Sequence, residues 1–232
     1  MSTSAREAIL ARIRTATADL NPAATPPVLT RNYQQTAALD REETLDLFVE
    51  RLLDYDAEVL RVTPEQVIGA VQNVLAARAT QTPVLLAPGF PAAWLPPQLS
   101  FIQDDLLPIR QLDHFDTVLT TATLGIAQTG TLVLVSGPGQ GRRATTLVPD
   151  SHLCVLRARD IVETVPEAFA RLISHNRSPI TFVSGPSATA DIEMTRIKGV
   201  HGPRFLHVIL VQDVAPPLHA ISRHTEAKDT RI

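Results

Sequence analysis

Glu58-Val-Leu-Arg-Val-Thr-Pro-Glu-Gln66, followed by Val67, Ala70, Val71, Val74 and Leu75 and then by Val84-Leu-Leu-Ala87, decides the class of fold. Residues 58–62 alternate in the manner of a half-buried strand. Thr63-Pro-Glu-Gln66 has the form of a capping box, with Pro64 at the first helical position, where its missing N–H is not needed. The apolar residues after it recur at spacings of three and four, on one helical face. Residues 84–87 are short and apolar, as a strand covered on both faces is. Strand, helix, strand within about thirty residues is the parallel crossover of an α/β fold.

The same alternation extends in both directions. Upstream, Leu45, Phe48, Val49, Leu52 and Leu53 form a helical stripe. Ala5, Ile9, Ile13, Ala16 and Leu20 form an amphipathic first helix, and Pro22, Pro26 and Pro27 in residues 21–33 prevent it from continuing. That helix is expected to be a detachable arm, packing on its own domain or on a second subunit. Downstream, residues 88–97 read as a Pro-rich loop and residues 118–127 as a strand or a helical turn. Residues 131–135 form a strand ended by Gly137-Pro-Gly-Gln-Gly141, and residues 152–156 form another. Thr164-Val-Pro-Glu167 is a second capping box, leading into a helix through Phe169, Leu172 and Ile173. Residues 180–183 and 205–211 are the last strands, with His207 on a sheet face.

The expected fold is therefore α/β, with a largely parallel central sheet covered on both faces. Mixing enters where residues 131–135 and 152–156 have no helix between them. Residues 1–36 read as helix and linker, 37–213 as the α/β domain and 214–232 as a polar tail.

The 232 residues, 44% hydrophobic, suffice for one sizeable core. A net charge of −3 without a basic run argues against a nucleic-acid partner. The single cysteine, Cys154, excludes an internal disulfide framework and an iron–sulfur cluster ligated by this chain alone. It sits in a strand and reads as a core residue. No apolar run reaches the ~20 residues needed to span a bilayer, and no secretory signal is seen, so a soluble cytoplasmic protein is expected.

Two segments are rich in glycine and polar residues. In the first, Gln128, Thr129, Gly130, Gly137, Gly139, Arg142 and Arg143 are candidates for ligand binding. Its glycines permit close backbone approach, and its guanidinium forks suit carboxylate or phosphate. The plainer reading is a hairpin-like turn with two solvated arginines. The second segment is Ser184-Gly-Pro-Ser-Ala-Thr-Ala-Asp-Ile-Glu193 with Gly199-Val-His-Gly-Pro-Arg204. Ser187 is expected to cap a helix running through Ile197, with Gly199 as its stop. Helix-start chemistry accounts for Asp191 without any ligand. Ser184, Gly185, Ser187, Asp191 and Arg204 are the binding candidates here, and Glu193 and His201 the catalytic ones. Asp191, Glu193 and His201 lack an established zinc spacing, so no metal site is assigned.

These two segments, together with Leu147-Val-Pro-Asp-Ser-His152, resemble the LUD-domain family, in its lactate-utilisation protein C branch. The match covers residues 112–211. It implies a layered fold of the NagB/RpiA/CoA-transferase-like group. It also implies a part in oxidising L-lactate to pyruvate with two partner proteins, at least one carrying iron–sulfur clusters. The chain departs from the family at Gln128, where Glu is common and an amide cannot act as nucleophile or base.

Three functions follow. The chain is a lactate-oxidation subunit with a pocket for a small carboxylate or phosphate-bearing ligand and no redox centre of its own. Or it is a CoA- or ATP-dependent transferase or ligase of the same fold group. Or it is a noncatalytic assembly or regulatory subunit. The cofactor, if any, is unspecified.

Overall fold

The computed structural model describes residues 4–19, 30, 32–78, 82–175, 177–189, 197–198 and 202–212. The chain divides into two units, Met1–Tyr33 and Gln34–Ile232. In the first, α1 (Ala5–Ala16) starts at a capping box between Ser4 and Glu7 and buries none of its residues.

The second unit begins with α2 (Arg41–Asp54), β1 (Glu58–Val62), α3 (Val67–Ala77), β2 (Val84–Leu86) and β3 (Phe101–Gln103). It continues with α4 (Ile109–Leu112), β4 (Thr117–Thr121), β5 (Leu124–Ile126), β6 (Thr131–Val135), β7 (Ser151–Arg157) and β8 (Ile161–Val162). Last come α5 (Val165–Leu172), β9 (Ile180–Val183), β10 (Ala188–Thr189), β11 (Ile197–Lys198) and β12 (Phe205–Val211). Both expected capping boxes form. The Thr63 amide donates to Gln66 Oε1 at 3.0 Å, and the Thr164 amide donates to Glu167 Oε2 at 3.0 Å.

The central sheet has six strands in the order β1-β12-β7-β4-β2-β3. Every pairing in it is parallel. A second sheet, β8-β5-β6-β9, is mixed, since β6 runs antiparallel to β5 and β9 while β8 is parallel to β5. The two strands that lack an intervening helix thus lie in different sheets, so the mixing belongs to the second sheet.

Side-chain alternation builds the layers. Leu153 and Val155 of β7 face α3, packing with Val71 and Ile209. Cys154 and Leu156 face the other way, against Phe48 and Leu52 of α2 and Leu132 and Leu134 of β6. Val133 and Val135 of β6 turn outward to α5. Phe48 and Leu52 are fully buried, on the order of 2 kcal/mol each. Cys154 is a core residue, and burial pushes its thiol pKa up to about 12.

One carboxylate ties down the start of this unit. Glu163 is 4% exposed and accepts from the amides of Ala38 and Leu39 at 2.7 and 2.8 Å and from Gln34 Nε2 at 2.6 Å. Burial alone would raise its pKa, but these donors outweigh that and hold it below the usual carboxylate range.

Sequence predicted a helix between Ser187 and Gly199. Instead β10 and β11 pair antiparallel, Ala188 with Lys198 and Thr189 with Ile197. The Ser187 amide donates to Pro203 O at 2.8 Å, which holds the chain beside the segment entering β12 rather than leaving it to start a helix. Among the described residues, no helix is long and apolar enough to cross a membrane.

Gly130 is left-handed, at φ 55°, and a Cβ there would stand 2.8 Å from Arg51 Cβ and 2.9 Å from the Arg51 carbonyl carbon in α2. Gly130→Ala should therefore cost about 2 kcal/mol in urea unfolding. An unchanged midpoint would show that packing against α2 does not fix this glycine.

Candidate functional site

The site forms where the second sheet meets the amino ends of β7 and β12. After β9 the chain turns through Ser184-Gly-Pro-Ser187. Gly185 has φ 88°, and a Cβ there would fall 2.5 Å from Tyr55 Cβ, so this turn closes only with glycine. Gly202 and Pro203 approach from the other side. Between them lies a cavity of about 300 Å³, whose walls include Arg143, Thr146, His152, Ser184, Ser187 and Leu206.

His152 is the second residue of β7, on the face turned toward the second sheet. It is 1% exposed, and its Nε2 lies 2.8 Å from Thr120 Oγ1. Burial, and then the charge of Arg143, push its pKa down to about 4. The imidazole is therefore neutral at neutral pH. Arg143 donates to Thr146 O and Oγ1 at 3.4 and 3.3 Å and has no carboxylate partner among the described residues. Ser184 Oγ lies 2.6 Å from Thr131 Oγ1, which lies 2.7 Å from Thr129 Oγ1, so a row of hydroxyls runs from the cavity wall to Thr129. One guanidinium, one neutral imidazole and several hydroxyls form an environment suited to a small anion bearing a second polar oxygen.

The sequence candidates separate into groups. Arg143, Ser184, Gly185 and Ser187 line this cavity, and Thr129 joins it through Thr131. Gln128 does not line it. Its Nε2 donates to Gln34 Oε1 at 3.0 Å. Arg142 turns away, donating from Nε and Nη2 to Asp104 at 2.7 and 2.8 Å. Arg204 is exposed and pairs with Asp150 at 2.5 and 2.8 Å.

Gly137 and Gly139 belong to a loop whose amides are engaged within the chain. The Gly139 amide donates to Pro88 O at 2.7 Å, Gln140 and Gly141 donate to Gly137 O at 3.1 and 2.8 Å, and Gly137 donates to Gly141 O at 3.2 Å. None of these four amides is left to point at an anion. Asp191, Glu193 and His201 lie outside the described residues. Among the described residues, no group of three or more His, Cys, Asp or Glu could hold a metal. Sequence reasoning missed His152, Thr120 and Thr131. The available signal was a histidine directly before the apolar run Leu153-Cys-Val-Leu156.

Residues 98–211 match the LUD domain. Over 206 residues the chain is 40% identical to the lactate utilization protein C of Deinococcus radiodurans, an alignment spanning 88% of this chain and 93% of that protein. The chain belongs to the LUD domain family. The lactate utilization protein C of Halalkalibacterium halodurans is 35% identical over 111 residues, 45% of this chain and 48% of that one. The crystal structure of a DUF162 family protein from Deinococcus radiodurans has the same architecture. It superposes with a TM-score of 0.64 at 36% identity, covering 75% of this chain and 99% of that one.

In this LUD protein the His152 ring signals should not titrate between about pH 5 and 8 in an NMR series. Arg143→Gln should raise the midpoint from about 4 by removing a neighbouring positive charge. The sign for stability follows. A histidine whose folded pKa lies below its unfolded value withdraws stability as pH falls through the interval between them, because the unfolded chain takes the proton first. A His152 that titrates near its ordinary value would contradict the burial and charge described.

Proposed function

We propose that this chain serves in lactate utilisation, acting in the cytoplasm as the small-carboxylate-binding member of a multi-protein system that oxidises L-lactate to pyruvate. The observation that carries the reading is Arg143. It is a guanidinium without a carboxylate partner among the described residues, on the wall of a cavity of about 300 Å³ beside a neutral buried imidazole. A relative 40% identical over most of both chains is named for lactate utilisation, which supports the pathway.

Arg143 would hold the carboxylate of a 2-hydroxy or 2-oxo acid through its planar fork. His152, neutral and fixed by Thr120, would exchange a hydrogen bond with the oxygen on the second carbon. Ser184 and the hydroxyl row behind it would accept or donate as the ligand requires. Glu193 and His201 complete the proposal as the groups that orient the ligand or move its proton. Oxidation of the hydroxyl carbon also needs an electron acceptor. With one cysteine, buried in the core, this chain would leave cluster-borne electron transfer to iron–sulfur partners.

The transferase reading is the weaker one. Gln128 is an amide where the family commonly has a carboxylate, and its side chain is engaged with Gln34 rather than aimed into the cavity.

A strain lacking this gene, supplied with lactate as sole carbon source, tests the proposal. The wild-type chain should restore growth. Arg143→Gln, accumulated to the same level, should not. Full growth with Arg143→Gln would overturn the role given to the cavity.

A further inference from the structure

At the other end of the central sheet, beyond the carboxyl ends of β2 and β3, lies a larger cavity of about 520 Å³. Crevices outside the carboxyl ends of parallel strands are where open α/β sheets hold ligands. The charge of this cavity differs from that of the Arg143 site. Its floor is Arg142 paired with Asp104, a carboxylate 3% exposed that accepts from Arg142 Nε and Nη2, from the Thr145 hydroxyl and from the Leu107 amide at 3.0 Å. The pair is neutral as a unit, and it supplies the only charged side chains on the cavity wall among the described residues. An anion placed here would be desolvated without a free cation to meet it.

Pro88, Pro138 and Leu106 supply apolar wall. Leu106 adopts φ 60° and is 79% exposed. A non-glycine residue in the left-handed region costs about 1–2 kcal/mol, and here the cost holds an apolar side chain at the rim of a cavity. Arg142 commits Nε and Nη2 to Asp104 and Leu107 O, and with Ser136 it supplies the side-chain donors on the cavity wall among the described residues. A neutral floor, apolar walls and two side-chain donors favour an uncharged ligand that carries acceptor oxygens.

We propose that this cleft is a second binding site, for an uncharged ring compound bearing carbonyl oxygens, the class to which quinones belong. The ring lies against Leu106 and the two prolines, and a carbonyl oxygen accepts from Arg142 and Ser136. The site is independent of the Arg143 cavity and stands or falls without it.

The test uses the full chain with tetramethyl-benzoquinone as the uncharged probe and a sulfonated benzoquinone as its anionic counterpart. Calorimetry gives affinities, and NMR shifts of backbone amides locate the site. The uncharged probe should bind more tightly and shift the amides of 104–107 and 136–142. Leu106→Asn keeps a residue that tolerates positive φ but removes the apolar contact, and should weaken binding about tenfold without loss of thermal stability. Ser136→Ala should also weaken it, and Arg143→Gln should leave it unchanged. No binding, shifts confined to other residues, tighter binding of the sulfonated probe, or unaltered affinity in Leu106→Asn would each overturn the proposal.

Discussion

Burial of β7 on both faces is the constraint from which the site follows. One face packs on α3 and the other on α2 and the second sheet, so residues 151–156 are all buried and only Arg157, at the carboxyl end, is exposed. His152 stands, buried, at the amino end, where the interior face meets the Arg143 cavity. A histidine in that place loses its solvent shell and faces a guanidinium, so it stays uncharged. The charge of the cavity is thus set by Arg143 among the described residues, and the selectivity proposed for the cavity is a consequence of layer packing rather than of a local motif.

Adjacent arginines meet opposite fates for a similar reason. Arg142 turns to Asp104, a carboxylate that β3 delivers to the sheet's carboxyl end, and becomes part of a neutral pair. Arg143, one residue on, points to the other cavity. The loop before them is rich in glycine because it must press onto strand ends. A Cβ at Gly139 would stand 2.6 Å from Thr121 Oγ1, and one at Gly89 would stand 3.0 Å from Pro138 Cβ. Gly139 serves packing, and the amides of Gly137, Gln140 and Gly141 close the loop on itself.

The α/β class, two of the three capping boxes described in the second unit and the stripe of α2 were legible in the sequence, because each depends on neighbours within a few residues; the box at Asp40 and Glu43 was not read from it. The division into two sheets was not legible, since β6 and β7 differ only in which distant strands they pair with. The helix expected after Ser187 failed because a backbone bond to Pro203, sixteen positions away, competes with local cap preference. Gly130 and Gly185, expected as ligand contacts, are also points of close approach to α2 and to Tyr55 at its end, which no local pattern announces. His152 was missed because sequence alone does not tell a histidine in a strand's core from one on a cavity wall.

Titration calorimetry of the purified chain with L-lactate and with pyruvate, in parallel with Arg143→Gln, reads carboxylate binding at Arg143 without any partner protein. At least one of these acids should bind the wild-type chain, and Arg143→Gln should weaken that binding about tenfold or more, as loss of a charge-assisted fork requires. Binding that is unchanged in Arg143→Gln, or absent for both acids in the wild-type chain, would contradict carboxylate binding at Arg143.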